Sequence, residues 1–385
     1  MNFQRAKASS VITPVAVSQK VDAASLRVCV VSEGISDFAD EGIKKFASTL
    51  VQAFGSYSEV LGISLGAPSE APNVVNHRTN KLLLSPGLRK QMLSFAPDII
   101  FYVPTASDTV FSFLRLKVLA SYYPQAATIL VALQPRTRGR LAQWLVRRLA
   151  PDLVFVQSRS RAARIQSNGL RADWIPSGVD VERFTPVSAK TKETLRAKYG
   201  LPQDTFLVLH VGHISKERNI PSLVEIQRNH QVVFVTGNSM GEDDEMRRRL
   251  DEAGVIVLDQ YLEAIEEIYQ SADCYVFPVS SETGSIETPL SVLEAMACNL
   301  PVVSTRFGGL EDLFDSLDSC AEAGLTLIDD LQGLGGAITH VRANPIASTR
   351  ELVQNYSWDS IASRLLNESY QIKELRKQVN NDKHS

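Results

Sequence analysis

The chain has few cysteines and no long apolar run, and both shortages narrow what it can be. Its four cysteines, Cys29, Cys274, Cys298 and Cys320, are far apart, three of them in or beside apolar segments, with no CxxC pair. That pattern indicates a reducing compartment and no zinc site. No stretch approaches the length of a membrane span, and the opening MNFQRAKASSVITPVAVSQKVDAASL lacks a continuous apolar core of signal-peptide length. Residues 1–24 therefore read as a flexible leader on a cytoplasmic protein. A large charge of one sign is also missing. The net charge is -3, with 22% charged and 44% hydrophobic residues, which argues against disorder, a fibre, or nucleic-acid binding through bulk charge. No GxGxxG opens a helix after LRVCVVSE, and neither GxxxxGKS/T nor GxSxG occurs. A nicotinamide dehydrogenase, a P-loop NTPase and a serine hydrolase of that motif are accordingly disfavoured.

What is present is alternation. From residue 25, short β-branched runs alternate with amphipathic stretches, the signature of βαβ units. LRVCVVSE, SEVLGISL, DIIFYVP, ATILVAL and DLVFVQS are expected strands of a first domain at residues 25–185, in which PSEAPNVVNHRTN reads as a loop. A polar, Lys-rich stretch at 186–204 reads as a linker. FLVLHVG, QVVFVTG, VIVLD, CYVFPVS and PVVST mark a second domain at 205–345. C-terminal helices follow at 346–378, the last packing back on the first domain, with a frayed tail at 379–385. The expected fold class is α/β, two Rossmann-like, doubly wound parallel-sheet domains facing a central cleft. Ligands of open parallel sheets lie outside the carboxyl ends of the strands, so the loops there should carry the chemistry.

Three loops of the second domain stand out. HVGHISKERNIPSLVEI ends a strand at Gly212 and presents His213, Lys216 and Arg218 before Pro221 starts a helix. Cations beside free helix N–H groups form an anion site of the kind that suits phosphate. PVSSETGSIETPL supplies hydroxyls, the acids Glu282 and Glu287, and the open first-turn amides of Leu290 and Ser291. Carboxylates repel phosphate, so these acids suit sugar hydroxyls. TRFGGLED adds Gly308 and Gly309, which permit close backbone approach or a positive φ. Next to these, IETPLSVLEAMACNLPVV reads as a helix of about ten residues, N-capped by Thr288, with Pro289 at its first position and Asn299 and Pro301 ending it. Apolar residues surround Glu294 on nearly every side. Its carboxylate must pair with a cation, bond to backbone, or line a site where a ligand supplies donors.

Taken together, these segments resemble the retaining glycosyltransferases of family four, which have the GT-B fold. IPSGVDVERFTP is similar to that family's interdomain segment, LEAIEEIYQSADCYVFP to its helix and strand before the donor loop, and PLSVLEAMACNLPVVSTRFGG to its most diagnostic run. The resemblance implies transfer of a sugar from a nucleoside diphosphate sugar, UDP- or GDP-linked, with retention of anomeric configuration, usually without a metal and with no tightly bound cofactor. It places Glu294 on the donor's ribose hydroxyls, to be satisfied by water when no donor is bound. The other motif glutamate is less sharply placed, because the family spacing lands on Ile286; Glu287 leaves six intervening residues, while counting from Pro278 selects Glu282 and an insertion of four. Glu287 is preferred and Glu282 held in reserve. On the diphosphate, His213 stands where the family has Arg, and Arg218 where it has Lys. Gln134 replaces a family histidine near the sugar, and Glu41 and Gly42 fall in the acceptor-side loop. Thr288, Leu290, Gly212, Gly308 and Lys216 complete the expected donor-binding set.

The acceptor is open: a glycan, a lipid-linked or a small molecule, with no nucleic acid among the partners. RTRGRLAQWLVRRLA, five arginines with Leu141, Trp144, Leu145 and Leu149 at helical spacing, reads either as a helix resting on an anionic membrane at its inner face or as a core-packed helix with a solvated basic face. A non-catalytic nucleotide-sugar-binding homologue and an epimerase of similar architecture are the rival functions, and polysaccharide biosynthesis is what the family resemblance suggests.

Overall fold

The computed structural model describes residues 26–382 except 36–41, 67, 135, 137–138, 238–243, 261, 315 and 346. The leader at 1–24, and Glu41, lie outside the described residues. In the first domain the elements run β1 (Arg27–Ser32), α1 (Gly42–Gly55), β2 (Glu59–Ser64), β3 (Val74–Asn76), α2 (Pro86–Phe95), β4 (Ile99–Val103), α3 (Val110–Tyr122), β5 (Ala127–Ala132), α4 (Arg140–Arg148), β6 (Leu153–Val156), α5 (Arg159–Ser167) and β7 (Ala172–Trp174). The second continues with α6 (Ala189–Lys198), β8 (Leu207–Val211), α7 (Pro221–Gln227), β9 (Gln231–Val235), α8 (Asp244–Glu252), β10 (Ile256–Leu258), α9 (Glu266–Ser271), β11 (Cys274–Phe277), α10 (Leu290–Ala297), β12 (Val302–Thr305), α11 (Leu317–Glu322), β13 (Leu325–Ile328) and α12 (Leu334–Ala343). Two helices close the chain, α13 (Thr349–Val353) and α14 (Trp358–Asp382).

All strand pairs in both sheets are parallel, with orders β3-β2-β1-β4-β5-β6-β7 and β10-β9-β8-β11-β12-β13. β4, β5, β6, β11 and β12 are buried at every position, as apolar strands covered on both faces must be. In the second sheet the order reverses between β8 and β11. The loops leaving those two strands are the ones a ligand meets at a topological switch point.

Several expectations need correction. Val74–Asn76, read as loop, pairs with β2 as an edge strand, and β7 and β13 went unread. Strands of three or four residues are too short to display a period. The presumed linker contains α6, which is anchored to the second domain through Lys192 and Arg196 on Asp273 (2.5 and 2.6 Å). Thr288 is not the cap of α10: Pro289 occupies the N-cap position and the helix spans Leu290–Ala297. Its far end does stop at Asn299, whose φ of 61° closes the turn.

The chain crosses between domains twice, and the crossings touch. A Cβ at Gly178 would come within 2.6 Å of the Trp358 ring, and Val179 N–H donates to Tyr356 O at 2.9 Å. α14 then returns to the first domain, where Lys373 pairs with Asp98 and Arg376 with Asp152, both at 2.6 Å. No described helix is long and apolar enough to cross a membrane. α4 departs from the core-packed reading: Val146 is its one buried residue, while Leu141, Trp144 and Leu145 are 73%, 52% and 36% exposed.

Candidate active site

After β8, Gly212 is overlain by Arg218, whose Nη1 would sit 2.1 Å from a Cβ at that position. Glycine is required there for close approach. Arg218 ends a short 3-10 turn, Lys216–Arg218, and Asn219 adopts φ 54° to leave it. The Asn219 amide donates to Pro278 O at 2.7 Å and Ser280 Oγ at 2.8 Å, tying this turn to the loop after β11. Gly284 admits the contact, since a Cβ there would lie 2.6 Å from Glu217 O. Burial lowers the Arg218 pKa, and the opposing influence is the Tyr275 phenol rather than an acid. Lys216 on this turn is exposed, and His213, in the loop just before it, is half-buried.

Sequence reasoning missed His210. It is fully buried in β8, with Nδ1 2.9 Å from Val276 O. Burial, aided by the charge of Arg218, pushes its pKa down to about 3, so a neutral imidazole lies near the guanidinium with its Nε2 buried and unpartnered. A histidine inside an otherwise apolar strand was the available signal.

Glu287 lies where the domains meet. Its N–H donates to Leu133 O at 3.0 Å and its carbonyl accepts from Gly309 N–H at 2.8 Å. Ser158 Oγ donates to Oε1 at 3.0 Å, whereas Oε2 is buried without a donor. Burial raises the pKa to about 7; the Ser158 bond and the Arg161 charge oppose this, and Asp108 and Glu282 add to it. Gly308, at φ +56°, is pressed on the Glu287 backbone, where a Cβ would lie 2.4 Å from its carbonyl oxygen, and a Cβ at Gly309 would lie 2.0 Å from Gln157 O. Glu282 is exposed, and Ile286 is buried with its side chain against Gly42 at the start of α1. Thr288 is held by the first domain: its N–H donates to Gln157 Oε1 at 3.1 Å and its carbonyl accepts from Ser177 Oγ at 2.8 Å.

Glu294, 5% exposed, has protein partners on both oxygens. Lys45 of α1 meets Oε1 at 2.5 Å and the Tyr269 hydroxyl donates to Oε2 at 2.9 Å. The expectation that water would satisfy it is therefore corrected, because a lysine from the opposite domain fills that role. Neither partner was legible, since Lys45 lies 249 positions away. Leu290 opens α10, so its N–H and that of Ser291 belong to the unsatisfied first turn. Gln134 is half-buried at the end of β5, its N–H bonded to Ser107 Oγ at 2.9 Å, beside the residue that holds Glu287.

The family model "Glycosyl transferases group 1" matches residues 206–344, the stretch that contains both loops and α10. The second domain thus resembles the group 1 glycosyl transferases over most of its length. The chain is 27% identical over 322 residues to the sulfoquinovosyl transferase of Arabidopsis thaliana, covering 75% of this chain and 59% of that protein. It is 32% identical over 152 residues to a putative teichuronic acid biosynthesis glycosyltransferase of Bacillus subtilis, covering 38% of this chain and 36% of that one. The chain thus spans less than two thirds of either relative. Among solved structures, a glycosyltransferase from Rickettsia africae superposes with a TM-score of 0.70 at 13% identity, covering 90% of this chain and 98% of that one. Anabaena Alr3699/HepE in complex with UDP-glucose superposes at 0.64 and 16% identity, covering 92% and 100%. The group 1 resemblance and the GT-B fold of two facing Rossmann-like domains hold.

Proposed function

We propose that this chain is a glycosyltransferase that moves a sugar from a nucleoside diphosphate sugar to a glycan, lipid-linked or small-molecule acceptor with retention of anomeric configuration. The observation that carries this reading is a pair of polar groups on adjacent loops at the switch point: the Arg218 guanidinium pressed over Gly212, and Glu287 with a buried, donorless oxygen. A sugar diphosphate meets both demands, its phosphates facing Arg218 and its hydroxyls Glu287. As the glycosidic bond breaks, charge grows on the leaving diphosphate. Arg218, Lys216 and the Leu290 and Ser291 N–H groups are positioned to stabilise it, with His213 beside them. In this reading Glu294 accepts the ribose hydroxyls once donor displaces Lys45, and Gly212 and Gly308 keep the two loops at their close approach.

The UDP-glucose complex of Alr3699/HepE supports a UDP-sugar, with GDP as the alternative. The test is thermal stability against UDP and GDP, wild type against Arg218→Gln. Saturation at about a hundred times Kd adds about 2.7 kcal/mol, a gain the variant should lose. An unmoved melting point with both nucleotides would overturn the reading. Retention is read separately, from the anomeric coupling of the transferred sugar by NMR.

One observation favours the runner-up, a non-catalytic nucleotide-sugar-binding homologue: Lys45 already fills the position on Glu294 that ribose would take. Nucleotide binding without any turnover of UDP- or GDP-sugars would favour it. The exposed face of α4 supports peripheral contact with an anionic membrane, since Leu141 and Trp144 project beside Arg140, Arg147 and Arg148. Flotation with anionic vesicles should fail for the Leu141→Glu/Trp144→Glu double variant; retained flotation would remove this contact from the proposal.

A further inference from the structure

A pocket on the first domain holds cations that the reading above does not use. It is a shallow depression open to solvent, lined by Arg136, Gln143, Arg161, Arg164, Ile165 and Asn168. α5 builds most of it, because residues 161, 164, 165 and 168 fall on one face of a helix and its C-cap. Arg161 is 8% exposed, yet its Nε and Nη2 are buried with no acceptor, as is Nε of Arg136. Leaving guanidinium donors buried and bare costs free energy that a bound anion would recover. Three arginines converging on one depression suit a tetrahedral anion with several acceptor oxygens.

We propose that this pocket binds a phosphate ester carried by the acceptor. The assignment rests on the glycosyltransferase reading for the word acceptor, and on the pocket alone for phosphate. Its position gives it that role. Ser158 caps α5, accepting from Arg161 N–H at 3.3 Å, and the same hydroxyl donates to Glu287 Oε1 at 3.0 Å. One serine therefore separates the pocket from the carboxylate assigned to the transferred sugar. The donor's own phosphates belong to Arg218 and Lys216 on the opposite domain, so a second phosphate on this side is the acceptor's. Glu287 feels the Arg161 charge but leaves those two nitrogens bare.

The experiment is calorimetric titration of the full chain with inorganic phosphate and, separately, with UDP and GDP. Arg164→Gln is the exposed variant and Arg161→Gln the buried one. Each should weaken phosphate at least about tenfold, the worth of one charge-assisted hydrogen bond, while nucleotide affinity stays unchanged. Phosphate that fails to bind wild type, or that binds Arg164→Gln as well as wild type, overturns the proposal. Phosphate binding lost in the variants of a protein that takes no nucleotide would sustain the pocket and sink the transferase reading instead. Two further arms identify the source of the ester. A soluble hexose phosphate that displaces inorganic phosphate points to a free acceptor, and displacement only by phosphatidylcholine vesicles containing phosphatidic acid points to a lipid headgroup.

Discussion

Glu287 and Glu294 sit on one loop-and-helix segment, both buried, in opposite states. Glu294 has a donor on each oxygen, from Lys45 and Tyr269. Glu287 has one, from Ser158, and keeps a bare oxygen inside the domain interface. Burial is nearly the same for the two, at 5% and 7% exposure, so desolvation does not distinguish them. The difference lies in what the first domain contributes: a long flexible cation to one, a short hydroxyl to the other. A carboxylate left half satisfied at a domain boundary keeps an acceptor open to a ligand, whereas one already paired must exchange partners before a ligand can reach it.

The sharpest way to break this contrast is Glu287→Gln. If the bare oxygen meets the transferred sugar, the rate of transfer should fall about 10²- to 10³-fold, the range for removing one well-placed transition-state contact, with nucleotide affinity unchanged. A rate within threefold of wild type would mean that Glu282, or no acid, serves the sugar.

The same residue makes a prediction about stability. Folded Glu287 keeps its proton up to about pH 7, against an ordinary value of 4.5, chiefly because it is buried. Between those values the folded chain binds more protons than the unfolded one, so stability must fall as pH rises through the window and be flat with respect to this group on either side. The loss amounts to at most about 3 kcal/mol. Chemical denaturation of wild type and Glu287→Gln from pH 4 to 8 should show the two curves separating across that window. Parallel curves would show that the oxygen has a donor in solution.

This pair also marks what a sequence can disclose. The α10 helix, its end at Asn299, and the parallel strands on both sides were legible because they rest on local pattern: apolar periodicity, a left-handed residue, β-branched runs. So was the importance of Glu294, as a charge with no polar face to lie on. Which groups satisfy it was not, because Lys45 and Tyr269 arrive through the closing of two domains. The same holds for Ser158 and Glu287, 129 positions apart. The choice between Glu287 and Glu282, open on spacing, differs clearly in burial. The exposure of α4 was invisible for another reason: a helix with an apolar stripe looks alike whether a core or a membrane covers it.

Glu294→Ala should act on binding rather than on transfer. Removing the acceptor of two ribose hydroxyls weakens the nucleoside diphosphate by about 2 kcal/mol, roughly thirtyfold. Calorimetry reads it directly, and an unchanged Kd would return Glu294 to a purely structural pair with Lys45.

Lys45→Ala separates those two roles with the smallest expected effect. The lysine side chain is 36% exposed, so solvent screens the pair and its net worth is about 1 kcal/mol or less. If donor must displace Lys45 before ribose can reach Glu294, deleting the lysine removes that cost, and nucleotide affinity should rise by up to about fivefold. If Lys45 instead swings from the carboxylate to the bound phosphates, the variant loses a cation and affinity falls, most steeply at low salt. The two outcomes differ in sign, so even a small change in Kd decides whether the lysine guards the ribose position or serves the ligand that takes it.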